Sequence, residues 1–216
     1  MNEILKAARL DFSLIRPYMK TMLFIMAFPV VFAAINRSLV NGVSFAMSFI
    51  SMTSGYTFSI SERNGMERLY GILPVSKKHM VIGRYLYICM MGLCTLMISL
   101  TVQPIVLRAL GAAVSYEDII AATITGIILF SLYTVFLLPG YYKYGAIKGR
   151  IFVFIPAAGY LIDLAFVYLF GLTGSPALSS IISSPLIFMA VVVLICITAF
   201  LLSVIVSMRF LQNKEV

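Results

Sequence analysis

The sequence contains few residues that carry chemistry. It has one histidine, three cysteines and eight acidic residues among 216, and no tryptophan. Zinc sites need clustered Cys, His and carboxylate side chains, which a single His79 cannot supply. Cys89, Cys94 and Cys196 lie in apolar stretches without C-x-x-C spacing, as is typical of buried thiols that act as small apolar side chains. The sequence also lacks a G-x-x-x-x-G-K-[ST] P-loop, H-E-x-x-H and a Ser/His/Asp arrangement, so we expect no enzyme activity and no bound metal.

Charge is also scarce, and apolar residues take its place. The chain is 62% hydrophobic and 11% charged, and its mean hydropathy is +1.04, whereas soluble domains carry about 25% charged residues. A membrane-crossing helix needs about 20 apolar residues. Six stretches approach or exceed this length, at about 20–36, 39–60, 82–107, 117–138, 151–171 and 185–208. The sequence therefore predicts an all-α membrane protein with six transmembrane helices, in a single domain spanning 1–216.

The basic residues lie almost entirely on one side of this predicted membrane. Of the 16 Lys and Arg residues, all but Arg37 and Arg108 lie before the first stretch, after the last, in the second and fourth connections, or in the first three residues of the stretch that follows. Short loops rich in Lys and Arg stay in the cytoplasm. We therefore predict a multi-pass protein of a bacterial cell membrane, with both termini cytoplasmic.

Residues 1–18 form an amphipathic segment before the first span. Its apolar residues recur at helical spacing, and its charged residues lie elsewhere on the helix. The apolar set is Ile4, Leu5, Ala8, Phe12 and Ile15, and the charged set is Lys6, Arg9, Asp11 and Arg16. This pattern predicts an interfacial helix whose apolar face meets lipid or the bundle, with a turn into the bilayer at Pro17.

The second span carries small residues three or four positions apart. They are Ser44, Ser48, Ser51, Gly55 and Ser59. Small side chains let helices approach closely in lipid, so we expect this face to pack against another helix of the same chain.

The connection between the second and third spans, 61–84, is longer than a simple link requires. Its charged residues alternate with apolar residues at helical offsets, and these apolar residues are Met66, Leu69, Tyr70 and Leu73. Pro74 disfavours helix in the residue before it, and Ser76 is a candidate N-cap for the helix that enters the third span. The pattern predicts a short amphipathic helix on the cytoplasmic face. A helix that merely rests on lipid headgroups is the alternative.

Two polar residues inside predicted spans are candidate functional residues. Asp163 is the ionisable side chain near a span centre, where a charge costs about 2.5–3.5 kcal/mol on insertion scales. It is a candidate for a substrate path or an inter-subunit hydrogen bond, or for a carboxyl group near the outer interface that pairs with a hydroxyl. Gln103, followed by Pro104, is a weaker candidate of the same kind, with a helix kink as the simpler interpretation.

The six-span pattern resembles the short permease subunits of ABC-2-type transporters. The shared motif lies in the connection between the second and third spans and continues into the third. Its residues here are Glu62, Leu69, Leu73, Pro74, Val75, Ser76, Lys77, Val81, Arg84 and Tyr85. The chain departs from the family at Ile72, where a small polar residue is usual, and at Arg84, where Lys is commoner.

This resemblance implies a separate cytoplasmic ATPase that binds ATP and Mg, and an assembly of two permeases with two ATPases, most simply a permease homodimer. The cargo would be amphipathic or hydrophobic, such as peptides. The ATPase-coupling residues would be Glu62, Arg63, Asn64, Gly65, Met66, Leu69, Tyr70, Leu73, Pro74 and Ser76. A secondary cytoplasmic contact would involve Tyr144, Gly145 and Lys148, and a transport path would involve Asp163 and Gln103.

Two other functions remain open on the sequence. One is a secondary carrier driven by an ion gradient, with Asp163 as its proton site, although no pair of broken helices supports it. The other is a membrane protein that transports nothing, such as an immunity or sensor subunit. The cargo, and the choice between homodimer and heterodimer, cannot be read from the residues.

Overall fold

The computed structural model describes residues 2–18, 27–65, 76–156, 158 and 185–213, and within these ranges the regular elements are all helical. We label the α-helices in chain order. They are α1 (Asn2–Ile15), α2 (Ala27–Asn36), α3 (Leu39–Arg63), α4 (Lys77–Ala109), α5 (Tyr116–Lys148) and α6 (Pro185–Gln212). Two 3-10 segments, Arg16–Tyr18 and Gly149–Val153, follow α1 and α5.

Serine caps explain where three of these helices begin. The side chain of Ser38 accepts a hydrogen bond from the backbone N–H of Asn41, and Ser76 does the same for His79. Ser115 and Asp118 form a reciprocal capping box at the start of α5. Each cap satisfies an N–H that has no partner within its helix. The predicted cap at Ser76 is confirmed.

A tight turn follows the first apolar stretch. Arg37 turns the chain between α2 and α3 with a positive φ of 49°, and Ser38 then starts α3. At the same end of the bundle, only a few residues separate α4 from α5. The helix α4 continues through Pro104 to Ala109.

The most extensive helix contact joins α3 to α5. The hydroxyl of Ser51 donates to the carbonyls of Met47, at 3.0 Å, and Phe130, at 3.4 Å. A Cβ added to Gly55 would lie 2.5 Å from Tyr141 Oη. The prediction that small residues of this span pack within the chain is confirmed at Ser51 and Gly55, whereas Ser44, Ser48 and Ser59 are half-buried.

Three of the described helical stretches are long and apolar enough to cross a membrane, namely Lys77–Ala109, Tyr116–Pro156 and Leu194–Gln212. The helix α3 has the length, but its Ser and Thr residues lower its mean hydropathy, and α2 is a shorter apolar helix. Much of the predicted spans 20–36 and 151–171 lies outside the described residues. The chain is a multi-pass membrane protein, and the count of six spans stays a prediction.

The first helix packs differently from the sequence prediction. Ala8 is buried, Leu5 and Phe12 are 52% and 44% exposed, and Asp11 is 3% exposed. The prediction placed Asp11 away from the apolar residues that meet the bundle, and this placement was wrong. The physical reason is that Asp11 has a buried cationic partner on α4, which draws its side of α1 against the bundle.

Candidate functional site

The end of α3 meets the end of α5 through one carboxylate. Glu62 lies in the last turn of α3, and its Oε1 accepts a hydrogen bond of 2.7 Å from the backbone N–H of Ala146. Two segments that are distant in sequence are thereby joined at one end of the bundle. Of the predicted site residues, Glu62 and Gly145 are the pair that the structure brings together.

Gly145 makes this contact possible. Its backbone has φ 78° and ψ 178°, which breaks α5 and turns the N–H of Ala146 outward from the preceding helix. This φ lies in the region that glycine adopts without steric cost. A Cβ at this position would also lie 2.7 Å from Glu62 Oε1, so the close approach of the carboxylate requires glycine.

After the break, Glu62 serves as the acceptor for a new helical turn. The N–H of Gly149 bonds to the carbonyl of Gly145, so Ala146 stands at the start of a short helical segment whose first N–H groups need outside acceptors. A carboxylate at such a position is stabilised by the helix dipole. Arg150 adds a long hydrogen bond of 3.4 Å from Nη2 to Ser59 Oγ.

An aromatic cluster lies directly below this contact. The ring of Phe58 on α3 lies 5.1 Å from Tyr141 and 5.0 Å from Tyr142, in tilted and edge-to-face arrangements. All three rings are buried. The last turns of α3 and α5 therefore form one rigid unit rather than two independent helix ends.

The start of α4 is fixed to the same unit by Arg84. Its Nη2 and Nε lie 3.0 Å and 3.1 Å from the two carboxylate oxygens of Asp11, and its guanidinium carbon lies 4.5 Å from the centre of the Phe58 ring. Next to it, a Cβ at Gly83 would lie 2.7 Å from Ala7 Cβ. The helices α1, α3 and α4 therefore meet closely around one buried cation.

The remaining predicted coupling residues divide into two groups. Arg63 is the last residue of α3, and Asn64 and Gly65 form the turn after it; all three are exposed, and Gly65 has φ 61°. Ser76 caps α4. Met66, Leu69, Tyr70, Leu73 and Pro74 lie outside the described residues. Of the predicted secondary contact, Tyr144 and Lys148 are exposed on either side of Ala146.

Of the two predicted transport-path residues, the structure describes one. Asp163 lies outside the described residues. Gln103 is 0% exposed and lies against Ala33 and Gly42 of α2 and α3. Within the described part of the chain, neither its Oε1 nor its Nε2 has a hydrogen-bond partner. One and two turns before it, Ser99 and Thr95 line an apolar cleft among α2, α3 and α4.

A second buried polar contact joins α4, α5 and α6. The hydroxyl of Tyr85 lies 2.7 Å from Ser203 Oγ and 2.8 Å from Ser207 Oγ. Ser203 in turn donates to the carbonyl of Val135 at 2.9 Å. Sequence analysis noted Tyr85 only as part of the family motif and did not anticipate this network.

Sequence analysis also missed the roles of Asp11 and Ala146. Asp11 follows Ala8 by three positions, so both lie on one helical face, and a carboxylate on that face was the available signal of a buried basic partner. No comparable signal marks Ala146, because its contribution comes from the backbone.

These features define a polytopic membrane protein with a compact junction of helices at its basic end and with no metal-binding cluster among the described residues. A family model described as ABC-2 family transporter protein matches residues 9–212. The chain therefore belongs to the ABC-2 family of transporter proteins and is a membrane permease subunit of an ABC transporter. This confirms the family resemblance of the sequence. No curated protein and no solved structure matches the chain significantly.

Subunits of this family carry no ATPase site of their own and associate with an ABC ATPase. The match includes Asp11, Glu62, Arg84 and Gly145, so the side chains that join the helices at this junction lie within the matched region.

Proposed function

We propose that this chain is the permease of an ATP-driven exporter and that its ATPase docks on the surface around the Glu62–Ala146 contact. The observation that carries this proposal is the hydrogen bond between these two residues. It joins the segment that begins the predicted coupling loop to the segment that forms the predicted secondary contact. A partner that pushes on either segment therefore moves both.

Rigidity at this end favours the transmission of movement. The ion pair of Arg84 with Asp11 and the aromatic contacts of Phe58 link α1, α3, α4 and α5. A conformational change is transmitted over distance by elements that are packed against each other. Closure of the ATPases would shift this junction as a unit and switch the path between inward and outward access.

In the proposed assembly, two copies of this chain bind two ATPase subunits, and both termini are cytoplasmic. The basic residues of the described junction support this orientation. Arg63, Lys77, Lys78, Lys148, Arg150 and Arg209 are all exposed and lie near helix ends, as the bias of basic residues toward the cytoplasm requires. A two-fold symmetric pair is the simplest closed arrangement.

The proposed cargo is amphipathic or hydrophobic, and peptides are the first class to test. The sequence resembles the permease of the phenol-soluble modulin exporter in its coupling-loop motif. The cleft among α2, α3 and α4 supports such a cargo because apolar side chains surround the hydroxyls of Thr53, Thr95 and Ser99.

Co-purification with the ATPase tests the docking surface. A tagged permease is expressed with the candidate ATPase encoded beside it, and the amount of ATPase retained and its stimulation by amphipathic peptides are measured. Leu69→Ala with Leu73→Ala should reduce both, since burial of a large apolar side chain contributes roughly 1.5–3 kcal/mol. The permease itself should still insert into the membrane.

The matched control removes apolar side chains at the opposite end of the bundle. Ile105 and Leu110 are 68% and 50% exposed, so Ile105→Ala with Leu110→Ala should leave ATPase binding unchanged. Wild-type retention and stimulation in the double variant at 69 and 73 would show that the loop does not couple the two subunits.

A further inference from the structure

The helix α1 has an outer face that the bundle does not cover. It consists of Leu5, Lys6, Arg9 and Phe12, and Arg16 continues it at the start of the following 3-10 segment; all five residues are exposed. The opposite face is docked through Ala8 and Asp11. The described part of the chain thus leaves exposed a helix surface that combines apolar and basic side chains.

The exposed residues form two rows. Leu5 and Phe12 are seven positions apart, and so are Arg9 and Arg16. Seven residues are close to two helical turns, and four residues advance about 40° around the axis. The basic row therefore runs beside the apolar row, with Lys6 farther around on the basic side.

The packing of α1 places this face near the start of a membrane span. The backbone of Ile4 and Ala8 lies against Gly83, and Asp11 pairs with Arg84. Gly83 and Arg84 occupy the first two turns of α4, which is apolar and long enough to span a bilayer. We therefore expect the outer face to lie at the depth where hydrocarbon gives way to headgroups.

We propose that the outer face of α1 binds the headgroups of anionic phospholipids. Leu5 and Phe12 enter the boundary of the acyl chains, and the basic row contacts phosphate groups at the surface. Helices that combine apolar and basic side chains in this way lie in membrane interfaces. Basic residues at this depth are attracted by the negative surface potential of anionic lipids. The proposal requires only that the chain is in a membrane and does not depend on the proposed ATPase contact.

Because the chain has no tryptophan, a single reporter can test the proposal. The full-length Phe12→Trp variant is reconstituted in vesicles of phosphatidylcholine and phosphatidylglycerol at fixed composition, with brominated acyl chains on one lipid or the other. The fluorescence of Trp should be quenched more strongly when phosphatidylglycerol carries the bromine. Because surface electrostatics are screened by salt, the preference should fall at 1 M salt.

Variants that remove basic residues test whether the preference for phosphatidylglycerol comes from this face of α1. Each basic residue near an anionic surface contributes roughly a fivefold change in binding, so Arg9→Gln with Arg16→Gln should remove most of the preference. The matched control, Arg37→Gln with Arg108→Gln, changes two exposed cations at the other end of the bundle and should leave it intact.

Three results would overturn the proposal. Equal quenching by the two brominated lipids would show that the face does not select anionic headgroups. An unchanged preference in the double Gln variant at 9 and 16 would place the selecting cations elsewhere. Absence of quenching by either lipid would show that protein, rather than lipid, covers the face. A Leu5→Trp reporter repeats the measurement and guards against a local effect of the substitution at 12.

Discussion

Asp11 and Arg84 form a buried two-point ion pair between the first helix and the start of α4. Asp11 and Arg84 are 3% and 7% exposed, and the Phe58 ring covers the guanidinium from α3. A buried charge is tolerated when its partner and hydrogen-bond geometry compensate for lost hydration. This pair thus fixes the position of α1 relative to the segment that enters the bundle after the coupling loop.

Loss of the arginine should be strongly destabilising. Arg84→Ala leaves Asp11 buried without its partner, and such losses cost about 3–5 kcal/mol. Arg84→Lys should have a smaller effect, because an ammonium group keeps the charge but cannot make the two-point contact or the flat contact with Phe58. Thermal unfolding of the purified chain in detergent measures both.

Arg150→Ala is the matched control for this prediction. Arg150 is exposed and makes one long hydrogen bond to Ser59, so its loss should change stability little. Equal unfolding temperatures for Arg84→Ala and Arg150→Ala would refute a stabilising role for the buried pair.

The backbone break at Gly145 should be sensitive to any side chain. Gly145→Ala combines a positive φ of 78° with a Cβ that meets Glu62. Gly111→Ala also requires a positive φ, of 76°, but has nothing within 4 Å of the added atom. Sparsely populated backbone conformations of this kind cost about 1–3 kcal/mol in a non-glycine residue. Gly145→Ala should therefore be clearly less stable than Gly111→Ala in parallel thermal unfolding, and similar values would mean that the carboxylate moves freely.

The hydroxyl of Tyr85 should stabilise the contact of α4 with α6. Tyr85→Phe leaves Ser203 and Ser207 without this partner, although Ser203 keeps its bond to Val135. An unsatisfied buried hydroxyl costs about 1–3 kcal/mol. Tyr85→Phe should lower the unfolding temperature, and the addition of Ser207→Ala should recover part of the loss because the unpaired hydroxyl is then removed. No recovery would indicate that Ser207 finds another partner.

The sequence predicted the local elements well because their signals are local. An amphipathic pattern marked α1 and apolar runs marked the other described helices, although α5 continues past its apolar run to Lys148. Ser76 marked the start of α4 through its own side chain. Contacts across the bundle were harder to predict. Asp11 and Arg84 are 73 positions apart, and the residues around each of them give no indication that the two side chains pair. Ala146 could not be found at all from residue type, since its backbone N–H becomes available only through the break at Gly145.

Gln103 tests whether a buried amide is retained for function. Its polar atoms have no partner in the described residues, and burial of an unpaired polar group costs about 1–3 kcal/mol. Gln103→Met keeps a similar side-chain volume and should leave the unfolding temperature equal or higher, while transport of a peptide cargo falls. Reduced stability would mean that a bound water or another group satisfies the amide, and normal transport would remove Gln103 from the path.

Glu62 provides the sharpest test of the junction at the end of α3. Its Oε1 accepts the N–H of Ala146, so the essential property is an acceptor of the right length rather than the charge itself. Glu62→Gln can keep this bond through its amide oxygen, whereas Glu62→Ala removes the acceptor and Glu62→Lys places a cation beside a donor. We expect Gln to retain most ATPase co-purification and Ala and Lys to lose it. Arg108→Ala, which is exposed at the opposite end of the bundle, controls for a general effect of removing a charged side chain. If Gln behaves like Lys, the negative charge itself contacts the ATPase. If all three variants behave like wild type, the contact with Ala146 does not hold the docking surface, and the proposed coupling role of this junction fails.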